Sequence, residues 1–129
     1  MPKEKAARNK TIDTPVAEGR QYIARCIVVE EQIHDIQKII DKTIIGDTFL
    51  VLEKLPQDSV DLIIADPPYN LTKTFSGTKF SRRKDTDYEE YTRRWLSLVR
   101  PLLRPNGSIY ICCDWETSLI IGRVLTDFF

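Results

Sequence analysis

The stretch VDLIIADPPYN, residues 60–70, joins a nearly continuous apolar run to an acid, two prolines and an aromatic residue. Such a run predicts a strand that is buried on both faces of a parallel sheet. The prolines fix φ and bias the residues before them towards extended conformations, so we expect the chain to leave the sheet on a stiff path. Ligands of these sheets bind beyond the carboxyl ends of the strands. The segment Asp66–Asn70 therefore begins at a predicted binding crevice.

On either side of this stretch, helical and strand-like spacing alternate. The spacing predicts helices over residues 21–41, 49–55, 87–102 and 116–129, and strands over residues 43–45, 59–65 and 108–113. In the third helix, Asp87 and Glu90 have the spacing of a capping box, and the residues Pro105, Asn106 and Gly107 are typical of a helix end. This alternation predicts an α/β fold with a doubly wound parallel sheet.

Composition sets the limits within which a motif can be interpreted. The chain has 129 residues, enough for one small domain or part of a larger one. The polar stretch MPKEKAARNK predicts a flexible arm over residues 1–20, followed by one domain over residues 21–129. Lys plus Arg and Asp plus Glu number 19 each, so the overall charge favours no class of partner.

The cysteines and the hydropathy favour a cytoplasmic protein. The three cysteines have no CxxC spacing, and one histidine gives them no partner, so we expect buried, reduced thiols and no metal site. No apolar run approaches the roughly 18 residues that a membrane span requires, and no secretory signal opens the chain.

The chemistry of the DPPY segment suggests a ligand. The Asp66 carboxylate and a fixed proline carbonyl would form two acceptors aimed at one point, which suits an NH₂ group with two donors. The Tyr69 ring could stack on a planar heterocycle. Alternatively, the segment is an ordinary strand end and Tyr69 packs against the sheet edge. Asp47 ends the preceding predicted strand, which favours the binding interpretation.

Two blocks of the sequence resemble the amino-methylating DNA methyltransferases. They are GDTFLVLEKLPQDSVDLIIADPPYNL, residues 46–71, and YEEYTRRWLSLVRPLLRPNGSIYICCDW, residues 88–115, about half of the chain. The resemblance implies a Rossmann-like, S-adenosylmethionine-dependent fold. It also implies methylation of a flipped adenine N6 or cytosine N4 in DNA, as in restriction-modification systems. Asp rather than Ser at the first motif position leans towards adenine in this family.

The resemblance also assigns roles to matching positions. Asp66 and the Pro67 carbonyl would accept the two amino hydrogens, Tyr69 would stack on the base, and Pro68 completes the catalytic motif. Asp47, Asp66 and Asn70 would lie on the side of the cofactor, S-adenosylmethionine, with Asp47 near its adenine.

The chain departs from the family pattern because no two of its glycines form the GxG turn of the cofactor site. In the β class of these enzymes that turn lies far downstream of the catalytic motif. The sequence therefore resembles the amino-terminal portion of a β-class enzyme, with an incomplete fold. Two alternatives are a catalytically silent nucleic-acid-binding or assembly module and one half of a split methyltransferase. Besides DNA, the candidate partners are a carboxy-terminal half, a partner chain or a second copy.

A basic loop follows the motif and has phenylalanines interleaved with its charges. Such a loop could follow a phosphate backbone and become ordered on binding. A solvated run of charges is the alternative. The predicted DNA-binding residues are Lys73, Lys79, Arg82, Arg83 and Lys84.

Overall fold

The computed structural model describes residues 14–75 and 78–129, without the side chains of residues 73–80. Its helices are α1 (Val16–Ala24), α2 (Thr48–Leu52), α3 (Asp85–Val99) and α4 (Trp115–Leu125). Its strands are β1 (Val60–Ala65), β2 (Lys73–Phe75), β3 (Thr78–Phe80) and β4 (Leu103–Ile111). Short 3₁₀ turns lie at Ile36–Lys38 and Arg100–Leu102.

The parallel pair β1 and β4 is the centre of the fold, and α3 connects the two strands. The register runs from Leu62 opposite Ser108 to Ala65 opposite Ile111. Because both strands run in the same direction, their carboxyl ends meet at one edge, where Asp66 and the segment after Ile111 leave the sheet together. The sequence predicted this strand, helix and strand, and the structure confirms their order. β2 and β3 form a separate antiparallel pair.

One face of the parallel pair is covered by α3 and α4, and the hydrophobic core lies there. Its buried residues are Trp95, Leu96, Val99 and Val124. Inward-facing residues of the strands pack against this cluster; they are Ile63, Ala65, Ile109 and Ile111. α3 forms because its apolar side chains recur every three or four residues while its other face is charged.

The opposite face of the pair is exposed, so the prediction of a strand buried on both faces is wrong for the described part of the chain. Leu62 is 52% and Ile64 is 70% exposed on β1, and Tyr110 is exposed on β4. Side chains of a strand alternate between faces, and the described helices cover only one of them. We call the surface formed by Leu62, Ile64 and Tyr110 the outer face.

The predicted helix over residues 21–41 is also wrong. α1 ends at Ala24, and Ile27 then forms a parallel bridge with Ile44. The β-branched residues in this segment favour extended backbone, and pairing with distant residues satisfies its backbone groups. One example is the amide of Ile33, which donates to the Lys54 carbonyl at 2.8 Å. The predicted strand over residues 43–45 is reduced to the single bridge at Ile44.

Several predicted helix ends are displaced. α3 begins at Asp85 after Lys84, so Asp87 lies in its first turn and does not form a capping box. Pro105, Asn106 and Gly107 lie within β4 and do not end the helix. The register shifts between Val60 and Leu62, opposite this part of β4, which accommodates these residues as an irregularity of the strand.

The predicted domain division at residues 20 and 21 falls inside α1, and residues 1–13 of the predicted arm lie outside the described part. This division stays a prediction. No helix among the described residues is long and apolar enough to cross a membrane.

Candidate functional site

The DPPY segment begins where β1 ends, and its first three residues line a cavity of about 510 Å³. The cavity lies between β1, α2 and α3, with largely apolar walls that include Phe49, Tyr91 and Trp95. Asp47 lines the same cavity. The structure therefore brings together two predicted carboxylates that are 19 positions apart in the sequence, Asp47 and Asp66.

Asp47 has a structural role at this cavity. Its Oδ1 accepts hydrogen bonds from the amides of Phe49 at 2.9 Å and Leu50 at 3.3 Å, so it caps the amino terminus of α2. The ring of Phe49 then packs edge to face against Tyr91 of α3, with 5.9 Å between the ring centroids. Capping and packing together fix the Asp47 carboxylate at the cavity wall.

Tyr69 lies on another side of the segment and is 38% exposed. It lines a smaller cavity of about 210 Å³ with Pro68, Asn70 and Tyr88, among others. Partial desolvation raises the pKa of the Tyr69 hydroxyl, and the negative charge of nearby Asp66 raises it further. Pro68 lines both cavities, so the acid and the ring of the motif face two neighbouring cavities.

Tyr88 of α3 supports the backbone of the DPPY segment, a role that the sequence reasoning missed. It is 2% exposed, and its hydroxyl donates to the Pro68 carbonyl at 3.1 Å. Burial raises the pKa of Tyr88 to about 12, so the hydroxyl keeps its proton at neutral pH. The only sequence signal was a tyrosine within the apolar stripe of α3, because a buried tyrosine hydroxyl usually finds a partner.

Asn70 is buried and binds the chain itself. Its Nδ2 donates to the Arg83 carbonyl at 3.0 Å, and its Oδ1 accepts from the Arg83 amide at 2.7 Å. These bonds use both functional ends of the side-chain amide. The geometry therefore gives Asn70 a structural role, and its predicted contact with the cofactor stays a prediction.

The described arginines of the predicted DNA-binding loop contact the protein. Arg82 pairs with Glu116 at 2.8 Å and with Asp85 at 3.6 Å. The Arg83 guanidinium lies over the Tyr91 ring, 5.1 Å from its centroid. Lys84 is exposed at the start of α3, and the side chains of Lys73 and Lys79 lie outside the described residues. Phosphate binding by this loop stays a prediction.

Asp114 follows β4 by three residues and lies near Tyr88, and the sequence reasoning did not select it. Its Oδ1 accepts from the amides of Glu116 at 2.9 Å and Thr117 at 3.0 Å, which caps α4. The hydrogen bond from the Thr117 amide is the main reason why the pKa of Asp114 is lowered. Its Oδ2 is buried and has no hydrogen-bond partner among the described residues.

The cysteines differ from the prediction of buried thiols. Cys112 and Cys113 are exposed, and Cys26 is half-buried. The Cys112 amide donates to the Ala65 carbonyl at 2.8 Å and thereby extends the pairing of β4 with β1 to the beginning of the motif. Within residues 14–75 and 78–129, no three His, Cys, Asp or Glu residues are arranged to hold a metal ion.

A family model described as DNA methylase, of the N6/N4 methyltransferase type, matches residues 60–128 of this chain. The matched region holds β1, α3, β4, α4 and the whole DPPY segment. The chain belongs to the N6/N4 DNA methylase family. Enzymes of this family use S-adenosylmethionine as the methyl donor. The parallel β1–α3–β4 unit is consistent with a methyltransferase fold.

Bacterial type II methyltransferases are similar to this N6/N4 methylase chain. M.HpaI of Haemophilus parainfluenzae is 39% identical over 84 residues, which cover 65% of the chain and 26% of that protein. M2.LlaDCHI of Lactococcus lactis subsp. cremoris is 34% identical over 92 residues, which cover 62% of the chain and 34% of that protein. M2.DpnII of Streptococcus pneumoniae is 32% identical over 92 residues, with the same coverage. The chain spans about a quarter to a third of the length of these curated relatives.

The comparisons confirm the family that the sequence predicted, and they connect it with DNA methylation and restriction-modification. The structure of this methylase chain adds the arrangement of the predicted residues. Asp47, Asp66, Pro67 and Pro68 share one cavity, Tyr69 lies at a neighbouring cavity, and Asn70 is turned towards Arg83.

Proposed function

We propose that this chain carries the target-amine pocket of a DNA methyltransferase that transfers a methyl group from S-adenosylmethionine to the N6 of a flipped adenine. The observation that carries the proposal is the shared cavity of Asp47 and Asp66 beside Tyr69, at the carboxyl end of a parallel strand. Membership of the N6/N4 methylase family supports the reaction class.

The residues of the motif would act mainly by positioning. An exocyclic amino nitrogen is a poor nucleophile because its lone pair is delocalised into the ring. The Asp66 carboxylate and the Pro67 carbonyl, as acceptors for its two hydrogens, favour the geometry that localises the lone pair. The Asp66 charge also stabilises the positive charge that develops on nitrogen. The exposed ring of Tyr69 offers the stacking surface for the base.

The cavity that Asp47 lines suits the cofactor's adenosine. Its walls are largely apolar and include the rings of Phe49 and Tyr91, while Asp47 offers an acceptor at a fixed place. When bound, S-adenosylmethionine supplies a sulfonium methyl that is already activated. Asp66 would hold the amino nitrogen, and no strong base is required before transfer. The extra proton that the nitrogen carries after transfer would then pass to the Asp66 carboxylate or to water.

Further methyltransferase segments would complete the fold. The outer face exposes apolar side chains of both central strands, and parallel sheets are normally covered on both faces. The relatives are three to four times as long as the region that matches this chain. We propose that segments from the same protein or from a partner chain cover the outer face and supply the glycine-rich cofactor turn. DNA is the proposed substrate.

A substitution at Asp66 tests the proposal. The active protein means here this chain together with the continuation or partner that restores methyl transfer. Asp66→Ala should lower the rate of methyl incorporation into DNA by at least about a hundredfold, because electrostatic contacts at a reacting centre have this size. DNA binding should be largely preserved. Digestion of the product and separation of its nucleosides distinguishes N6-methyladenine from N4-methylcytosine.

Asp61→Ala is the matched control. Asp61 lies on the same strand, but it is exposed and pairs with Arg104 at 2.7 Å, away from the cavity. This variant should keep the normal rate. Full activity of Asp66→Ala would contradict the proposed role. DNA binding without methyl transfer by every completed form of the protein would favour a catalytically silent nucleic-acid-binding module.

A further inference from the structure

We propose that Tyr88 and Asn70 are positioning residues, which hold the backbone on both sides of Tyr69 so that its exposed ring is ready to receive a base. Tyr69 is partly open to solvent, while hydrogen bonds hold the neighbouring residues Pro68 and Asn70. This inference rests on the proposed function, because it assigns the fixed ring to base capture.

The first contact lies before Tyr69. The hydroxyl of Tyr88 donates to the Pro68 carbonyl, which belongs to the peptide plane that joins Pro68 to Tyr69. Tyr88 is buried and packs against Tyr91, with 5.9 Å between the ring centroids. Since the donor is itself held in the core, the hydrogen bond fixes the orientation of that peptide plane relative to α3.

The second contact lies after Tyr69. The Asn70 side chain binds both backbone groups of Arg83, as a neighbouring strand would. Two residues further on, the Thr72 hydroxyl accepts from the Arg82 amide at 3.1 Å. Arg82 in turn pairs with Glu116 of α4. The chain after Tyr69 is therefore tied to the segment that precedes α3 and, through it, to α4.

The turn at Tyr69 completes the arrangement. Its carbonyl accepts from the Leu71 amide at 2.7 Å, so both peptide planes that flank Tyr69 have hydrogen-bond partners. A ring that is oriented in advance does not have to be ordered when the base binds, and this lowers the cost of binding.

This clamp, formed by Tyr88 and Asn70, predicts a particular kinetic effect. Without the contacts of Tyr88 and Asn70, the Tyr69 ring should still stack on a base. The backbone on both sides of Tyr69 would then have to become ordered each time a base binds. The loss should therefore raise the KM for DNA about tenfold while the affinity for S-adenosylmethionine is unchanged. A merely structural role would lower the fraction of folded protein and would leave the KM of the remaining enzyme unchanged.

The clamp itself is tested by amide hydrogen exchange in the 129-residue chain, followed by NMR. In Tyr88→Phe, we expect the Leu71 amide to exchange about tenfold faster than in the unmodified chain. In Asn70→Ala, the Arg83 amide should exchange faster by a similar factor. The matched controls are Tyr22→Phe, which removes an exposed bond to Glu18 on α1, and Asn106→Ala on β4. Neither control should change these two amides.

Base capture is tested in the active protein with two DNA substrates. DNA with adenine at the target position gives the KM and the rate of methyl transfer. DNA with 2-aminopurine at that position, which has no 6-amino group to methylate, reports only the stacking of the base. Tyr88→Phe should raise the KM for DNA about tenfold, weaken the quenching of 2-aminopurine by the stacked ring, and regain the normal rate at saturating DNA. Unchanged amide exchange in both variants would overturn the clamp. Faster exchange with an unchanged KM would overturn its role in base capture.

The outcomes separate the two proposals. If the unmodified active protein transfers no methyl group, the proposed function fails, while amide exchange still decides whether the clamp exists. If Tyr88→Phe does not fold, Asn70→Ala carries the same tests. If neither variant folds, the two residues act only in the stability of the fold, and the proposed positioning role is wrong.

Discussion

The two carboxylate oxygens of Asp114 have opposite effects on the stability of the fold. Its Oδ1 caps α4 through two backbone amides, whereas its Oδ2 is buried without a partner among the described residues. Asp114→Ala removes the cap, which typically costs about 0.5–2 kcal/mol. Asp114→Ser keeps an oxygen for the cap and removes the buried Oδ2. We therefore expect the free energy of unfolding of Asp114→Ser to lie within about 0.5 kcal/mol of that of the unmodified chain.

The pH dependence follows from the lowered pKa of Asp114. A carboxyl group whose pKa is lower in the folded state stabilises the fold above its unfolded pKa, and this contribution is lost as pH falls through the folded pKa. The difference between the unmodified chain and Asp114→Ala should therefore be largest near pH 7 and should shrink in acid. Urea unfolding, followed by circular dichroism at pH 7 and pH 3, measures both free energies.

Glu90→Ala is the control for Asp114, since Glu90 is an exposed carboxylate in the middle of α3 and should change the free energy of unfolding by less than about 0.5 kcal/mol. Equal stability of Asp114→Ala and the unmodified chain at pH 7 would refute the capping argument. A difference that grows in acid would refute the direction of the pKa shift.

Three further predictions concern the motif and the core. Tyr69→Ala should weaken binding of DNA with an unpaired target base by about 5- to 150-fold, because stacking contributes about 1–3 kcal/mol, whereas Tyr69→Phe should have a mild effect. Fluorescence anisotropy measures both, and an equal loss would mean that the hydroxyl matters more than the ring. Leu96→Ala should lower the free energy of unfolding by about 2–5 kcal/mol, because Leu96 is fully buried in the core; a urea titration that finds less than about 1 kcal/mol would contradict this. Because burial raises the pKa of Tyr88 to about 12, stability should fall as pH rises from about 10 to 12, and Tyr88→Phe should lose less over this range in urea titrations.

The sequence was most informative where a local pattern determines the outcome. The apolar run of β1 followed by polar residues placed Asp66 at a strand end, and the repeating apolar positions of α3 predicted that helix, although its two ends are displaced by two or three residues. The family resemblance rested on the same segments, and the family match confirms it.

The sequence was less informative where distant residues compete for the backbone. The isoleucines at positions 23–40 fit helical spacing, but the pairing of Ile27 with Ile44 requires a partner that local periodicity does not show. Similarly, the contact of Tyr88 with Pro68 depends on how α3 crosses the motif. The hydroxyl of Tyr88 occurs at a position that the sequence pattern marks as apolar. Its hydrogen bond can therefore be recognised only in the folded chain.

The central unit of this chain also has a consequence for folding during synthesis. β1, α3 and β4 lie within one continuous stretch of the chain, residues 60–111, which also holds β2 and β3. Since nascent chains fold progressively from the amino terminus, this unit can assemble as soon as β4 has left the ribosome. The DPPY segment and the Tyr88 hydroxyl would then meet before α4 is complete. The outer face would still be uncovered at that stage, so association with chaperones is expected to be strongest between synthesis of β4 and arrival of the segments that we propose to cover it.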